Sequence, residues 1–363
     1  MNKIKKVCLI LGTRPQIIKS APILKELHKN NFVVQLVHTG QHYDYELSKA
    51  FFDQMDIMNP TLNLGVGSGT HIWQISQIMS KLESTLLKLD PDIVLVPGDT
   101  NSALAAALVA AKLGIKLAHI EAGPRANELT PEEINRRLID HCSDILFAPT
   151  KNSLTNLRNE SVYGYSYLTG DTMYDAFLEN YDKIKRSKVR EKLGLGNKRF
   201  VVVTIHRIEN VDFSENLHKL IQILAGIINL GIEVVFPIHP HTRLKSRQFN
   251  ISYNQINIVD PLGYHDMLKL IEGASILLTD SGGLQKEALW LGVPCITLRN
   301  STEWMETVKL NVNFVLGLKE KAILRKVNEI INNSDFRKRF RNMRNPFGDG
   351  KASRKIVSLL SRT

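Results

Sequence analysis

The chain has 363 residues and a net charge of +11. Apolar residues make up 43% and charged residues 23%, which excludes a disordered or fibrous chain, and the length exceeds one ordinary core, so two domains are expected. Three cysteines at wide spacings, Cys8, Cys142 and Cys295, fit neither a disulfide framework nor a zinc pattern and read as buried thiols of a cytoplasmic protein.

In chain order, Lys3, Lys5 and Lys6 precede an apolar run at 7–11 that is too short for a secretion signal and predicts a buried first strand. Further β-rich runs follow at 33–38, 93–97, 115–120 and 145–149. Between them, Ile72, Ile75, Ile78, Leu82, Leu86 and Leu89 recur three or four apart and predict a helix over 71–89, while 103–111 reads as a small-residue helix. The pattern restarts at 200–204, 232–238, 256–259, 274–279 and 294–298. No run of about 18 apolar residues occurs, so no membrane span is expected. Strands alternating with amphipathic segments indicate parallel sheets covered on both faces, hence an α/β protein of two Rossmann-like doubly wound domains with a central cleft. The polar, basic passage 167–194 is the expected linker. The domains are placed at 1–170 and 171–345, with a last helix in 346–363 expected to return to the first.

The basic excess suits an anionic partner. Its densest runs, 183–192 and 337–344, contain Phe340 as their only aromatic, so they lack the interleaving of a single-strand platform and nucleic acid is not expected. Ligands of doubly wound sheets bind beyond the carboxyl ends of the strands, which directs attention to the residues just after each strand. After the first come Gly12-Thr13-Arg14-Pro15 and then Lys19, either an anion site at a helix N-terminus or an ordinary turn. After 276–279 come Asp280-Ser281-Gly282-Gly283 and a helix carrying Glu287, where two glycines allow a diphosphate close to the backbone and Glu287 could meet ribose hydroxyls.

The distinctive feature is acidic. Asp99 and Glu121 follow consecutive strands, and Glu132 and Glu133 follow Pro131 at the start of a helix containing Arg136. Clustered, partly buried carboxylates repel and titrate closer to neutrality, as proton transfer requires. The plainer alternative is that Glu132 and Glu133 complement a helix N-terminus and Asp99 caps the next helix. In the second half, His206-Arg207-Ile208-Glu209-Asn210 and His239-Pro240-His241 also stand at strand ends. Their spacing matches no familiar metal site, and no metal is expected.

These stretches, with Thr39-Gly40-Gln41-His42, Glu121-Ala122-Gly123, Pro131-Glu132-Glu133-Ile134-Asn135-Arg136 and Gly348-Asp349-Gly350-Lys351, resemble in order and spacing the non-hydrolysing UDP-N-acetylglucosamine 2-epimerases over essentially the whole chain. The resemblance implies a GT-B type fold, no cofactor, a UDP-sugar substrate, a homodimer and a place in cell-surface polysaccharide precursor synthesis. It also implies C2 inversion by anti elimination of UDP and its readdition. Asp99, Glu121, Glu132 and His206 resemble the acid/base and site-ordering residues. Arg14, Lys19, His42, Arg136, Arg207, Glu209, Asn210, His239, Ser281, Gly282, Gly283, Glu287, Arg299 and Glu303 resemble the substrate contacts.

Three sites, four residues in all, depart from the family pattern. Gln16 stands where Glu is usual, Pro124 where Leu is usual, and Trp304-Met305 where Arg-Pro is usual. The stretches 41–44, 67–71 and 170–175 look more like the branch acting on UDP-2,3-diacetamido-2,3-dideoxy-glucuronate. The competing readings are a UDP-sugar-dependent glycosyltransferase of the same fold, a hydrolysing 2-epimerase, and a non-enzymatic UDP-sugar sensor.

Overall fold

The computed structural model describes residues 5–41, 52–333, 335–337, 340 and 343–362. The chain forms two compact units, one from Met1–Asn180 with Asn345–Thr363 and the other from Tyr181–Arg344. Among the described residues, no helix is long and apolar enough to cross a membrane.

The first unit carries β1 (Lys6–Leu11), β2 (Val33–His38), β3 (Leu62–Asn63), β4 (Ile93–Pro97), β5 (Lys116–Ile120), β6 (Ile145–Ala148) and β7 (Tyr165–Leu168). They form one parallel sheet in the order β3-β2-β1-β4-β5-β6-β7. β1 and β4 have hardly a polar side chain because helices cover both faces; Val7 to Leu11 and Ile93 to Val96 are buried throughout. The helix Asn101–Lys112 packs against β1, β4, β5 and the helices His71–Leu89 and Pro131–Cys142, and its buried Ala103, Ala105, Ala106, Ala107 and Ala110 are what let so many elements approach it. Thr70, Thr100, Thr130 and Thr150 each accept a hydrogen bond from the third amide of the helix they open, which fixes where these helices begin.

The second unit carries β8 (Phe200–Thr204), β9 (Glu233–Pro237), β10 (Asn257–Val259), β11 (Ile276–Thr279), β12 (Cys295–Thr297) and β13 (Asn313–Val315), all parallel, in the order β10-β9-β8-β11-β12-β13. In each sheet the strand order reverses once, between β1 and β4 and between β8 and β11. At such a switch point the flanking connections leave in opposite directions and open a crevice at the strand ends. Gly12 to Arg14 and Gly98 to Asp99 stand at the first; His206 and Asp280 stand at the second.

The division between units falls at Asn180, inside the helix Thr172–Arg186, and not at 170. The reason lies in the stretch 170–175. The Asp171 amide donates to the Phe347 carbonyl at 2.9 Å, and the Asp175 carboxylate accepts from the amides of Ala352 (3.1 Å) and Ser353 (2.7 Å) at the head of the helix Ala352–Leu360. That helix packs on Arg14–Lys29, and Lys5 Nζ donates to the Leu360 carbonyl at 2.9 Å. Asp171 and Asp175, singled out above as branch-like, therefore work here as a clasp for the returning chain. Burial pushes the Asp175 carboxyl above its ordinary range despite the amides it accepts from. Cys8 and Cys295 are buried thiols pushed up to about 12 by desolvation, inert under ordinary conditions.

Candidate active site

In the first unit, the turn after β1 is tied to the end of β4 by Gln16. Its side-chain oxygen accepts from the amides of Gly12 (2.8 Å) and Thr13 (3.1 Å), while its Nε2 donates to the Pro97 carbonyl at 2.8 Å. A glutamate could take the first two bonds but could not donate the third, so the departure at Gln16 supplies a link of its own. Arg14 opens the helix from an exposed position.

Lys19, 7% exposed, reaches from the same helix to Glu121 Oε1 at 2.9 Å. Gly98 lies beside it. Its φ of 71° is left-handed, which favours glycine in the turn before Asp99, and a Cβ there would stand 3.1 Å from Lys19 Nζ. Glu121 is itself left-handed at φ 68°, a conformation costing a long side chain on the order of 1–2 kcal/mol.

Asp99 accepts a short hydrogen bond from Arg136 Nη2, and the other nitrogen of that guanidinium donates to Glu133 Oε2 at 2.6 Å. Glu133 is buried and also takes Arg137 Nε (2.9 Å) and the Ala126 amide (3.0 Å). Asn135 Nδ2 holds the Asp99 carbonyl at 3.0 Å. The helix after β4 is capped by Thr100 and not by Asp99, whose carboxylate is turned to Arg136. Glu132 stands half-buried in the first turn of Pro131–Cys142. The acidic residues are thus interleaved with cations, where the sequence suggested carboxylates repelling one another. Buried charge of this kind is tolerated only when paired and hydrogen-bonded.

In the second unit, sequence reasoning passed over the role of Asp280. Fully buried after β11, it accepts from the amides of His206 (3.1 Å) and Arg207 (3.0 Å) and from Asn210 Nδ2 (3.0 Å), and its Oδ1 lies 3.1 Å from His206 Nδ1. Burial alone would raise the Asp280 pKa, but the His206 imidazole and these donors outweigh it and hold the carboxyl at about 2. His206 is half-exposed, so the carboxylate fixes Nδ1 and turns Nε2 outward, the arrangement by which a carboxylate orients a histidine acid or base. The available signal was that Asp280 ends the strand adjacent to the one preceding His206. Asn210 donates to both Asp280 and the Leu298 carbonyl and so holds the loop. Arg207 stands 4.0 Å from the exposed Glu209, and the exposed His239 ring lies 6.0 Å from that of His206.

Gly282 and Gly283 open the helix Gly282–Trp290. A Cβ on Gly282 would come within 2.1 Å of Glu303 Oε1, and Glu303 is itself paired with Arg299 at 2.9 Å. Ser281 precedes this turn, and Glu287 lies buried one turn on. The departure at Trp304 has a local account: its ring packs under Lys286 Nζ, 4.0 Å away, and Thr302 Oγ1 donates to Gln285 at 2.6 Å while accepting from the Trp304 amide. Pro124 is buried, and Arg125 beside it binds Asp140 and Glu160. His42 lies outside the described residues. Among the described residues, no group of three or more His, Cys, Asp and Glu is arranged to hold a metal ion.

The sequence profile described as UDP-N-acetylglucosamine 2-epimerase matches residues 25–361. The chain belongs to the UDP-N-acetylglucosamine 2-epimerase family. It is 42% identical, over 98% of its length and 99% of the relative's, to a UDP-N-acetylglucosamine 2-epimerase homolog of Methanococcus maripaludis. It is 37% identical, over 98% and 99%, to the UDP-2,3-diacetamido-2,3-dideoxy-D-glucuronate 2-epimerase of Pseudomonas aeruginosa. Its structure is similar, at TM-score 0.92 and 41% identity over 99% and 100% of the two chains, to the Methanocaldococcus jannaschii UDP-GlcNAc 2-epimerase crystallised with UDP-GlcNAc and UDP. The GT-B type architecture expected from the sequence is that of this epimerase family.

Proposed function

We propose that this family member inverts C2 of a UDP-linked N-acetyl amino sugar, with UDP-N-acetylglucosamine the first substrate to consider, by eliminating UDP and adding it back. The observation that carries the reading is the placement of Asp99 and Glu121, each beside a largely buried cation, at the ends of the adjacent strands β4 and β5, the first of which borders the switch point. In the forward half-reaction the C2–H bond breaks, its electron pair forms the C1–C2 double bond, and the C1–O bond breaks with its pair leaving on UDP. A proton then reaches C2 on the opposite face as UDP oxygen re-forms the bond to C1. Opposite faces of one carbon need two groups, one taking and one giving, and Asp99, Glu121, Glu132 and His206 are the candidates.

An acetamido-bearing C2–H is weakly acidic, so cationic and helix-dipole stabilisation of the departing diphosphate carries much of the barrier. Arg14, Lys19, Arg136, Arg207, His239 and the amides opening Gly282–Trp290 are suited to that task, with Ser281, Gly283, Glu287, Arg299, Glu303, Glu209 and Asn210 completing or supporting the nucleotide contacts. The 2,3-diacetamido uronate is the second substrate to consider, on the strength of the Pseudomonas aeruginosa relative. A homodimer is the assembly we infer, in keeping with the family and with exposed apolar Ile72, Trp73, Leu129, Ile134 and Leu138. A cytoplasmic location is in keeping with the free thiols.

Incubation in heavy water with UDP-N-acetylglucosamine and, separately, the diacetamido uronate, followed at C2 by NMR, tests the reading. Deuterium at C2 together with the manno epimer is expected. Free N-acetylmannosamine with UDP would indicate a hydrolysing enzyme, transfer only when an acceptor is added would indicate a glycosyltransferase, and binding without exchange a sensor.

A further inference from the structure

Beneath the catalytic turns of the first unit lies a buried polar cluster to which the mechanism assigns nothing. His119 on β5 and Asp140 on the helix Pro131–Cys142 are both without solvent exposure. His119 Nδ1 lies 2.7 Å from Asp140 Oδ1, and His119 Nε2 lies 2.9 Å from the Gly98 carbonyl. The second Asp140 oxygen accepts from the Gly123 amide (3.1 Å) and from Arg125 Nη1 (2.8 Å). A carbonyl only accepts, so Nε2 is the donor to Gly98, while Nδ1 faces the Asp140 carboxylate. Burial alone would raise the Asp140 pKa, but His119 and Arg125 outweigh it and keep the group a carboxylate.

Burying such a set costs several kcal/mol per ion, and apolar residues of similar volume would pack the same space at least as stably. What the polar set adds is direction. One bond ends on the carbonyl of Gly98, the residue before Asp99, and another on the amide of Gly123, two residues after Glu121. The Gly98 amide donates to the Ile120 carbonyl at 2.9 Å, so both polar backbone atoms of Gly98 are held from β5.

We propose that the His119–Asp140 pair is a positioning device for the reaction, fixing the turn that carries Asp99 relative to the turn that carries left-handed Glu121. It rests on the epimerase reading above. A displacement near 1 Å of a reacting group costs about a hundredfold in rate, so the pair acts on turnover and not on nucleotide affinity.

Full-length Asp140→Asn, His119→Asn and His119→Gln variants test this by hydrogen–deuterium exchange and by C2 deuterium incorporation from UDP-N-acetylglucosamine. An asparagine amide can replace Nδ1 but not reach Gly98; a glutamine amide can replace Nε2. For D140N and H119N we expect faster amide exchange confined to 97–101 and 121–126, a kcat lowered about a hundredfold and KM within about twofold of the parent, with H119Q recovering about tenfold over H119N. Parent-like kcat and parent-like protection of both turns in D140N would overturn the proposal. So would exchange raised evenly across β1 to β7 with kcat and KM failing together, since that marks a core residue only. If the parent incorporates no deuterium at C2, the epimerase reading fails; protection of the two turns in D140N then decides the clamp by itself, unchanged protection overturning it.

Discussion

Asp280 shows how one buried side chain serves stability and chemistry together. Its folded pKa of about 2 lies below the ordinary 3.8, so its stabilisation, about 2 kcal/mol, is complete above about pH 4 and is lost as pH falls toward 2. Asp280→Asn should therefore be less stable than the parent at pH 7, with the gap narrowing in acid; denaturant titrations at several pH values measure it, and a gap constant with pH would count against the ion pair. The same change unfixes His206, so kcat should fall about a hundredfold at neutral pH. Glu121→Gln should cut C2 exchange by a similar factor while UDP affinity, measured by calorimetry, stays within about threefold, because the phosphate-type glycines lie in the other unit. Equal losses of exchange and UDP affinity would instead make Glu121 a nucleotide contact.

At the scale of elements, the turn into Gly282–Trp290 works only without a side chain. Gly282→Ala would drive Glu303 from Arg299, and we expect UDP binding to weaken about tenfold, corresponding to about 1.4 kcal/mol, and the melting temperature to fall as well because a buried ion pair is broken. Unaltered UDP affinity would show that this helix start does not meet the nucleotide. The strands that position these turns were legible because a strand buried on both faces is written as an apolar run, as in β1, β4 and β8, and β2 and β5 keep enough of that pattern: β2, β4 and β8 fall where the sequence puts them, and β1 and β5 within a residue. Three strands were not legible, and all three are sheet edges. β3 is two exposed residues, β7 is exposed at both ends with polar Ser166 inside, and β13 is three residues long, so none carries the signal that burial leaves in a sequence. The candidate site residues are marked in the sequence by their place after strands, whereas their partners are not. Lys19 lies 102 positions from Glu121 and Arg136 lies 37 from Asp99, separations at which only the folded sheet brings charges together.

For the molecule as a whole, the net charge of +11 and an anionic substrate make association sensitive to salt. Raising ionic strength from about 0.05 M to about 0.5 M should raise KM several-fold with kcat steady; a falling kcat would point instead to damage at the buried ion pairs. The first unit also depends on the far end of the chain. Ending it at Arg344 would remove Ala352–Leu360 with its buried Ile356, Val357 and Leu360 and uncover the face of Arg14–Lys29 on which they pack, a loss of about 5 kcal/mol or more, comparable with the stability of an ordinary domain. Amide exchange of the truncated chain should show β1 to β7 unprotected and β8 to β13 still protected. Protection of both sheets would mean that the clasp at Asp175 is dispensable.

That clasp also sets an order of events during biosynthesis. The unit whose residues leave the ribosome first lacks its closing helix until the whole second unit has been made, a delay on the order of ten seconds or more. Over that interval the apolar surface awaiting the helix is bare on the nascent polypeptide. The half of the enzyme proposed to carry out proton transfer would thus be the last to mature, and the nascent chain would be most open to chaperone capture near its amino end.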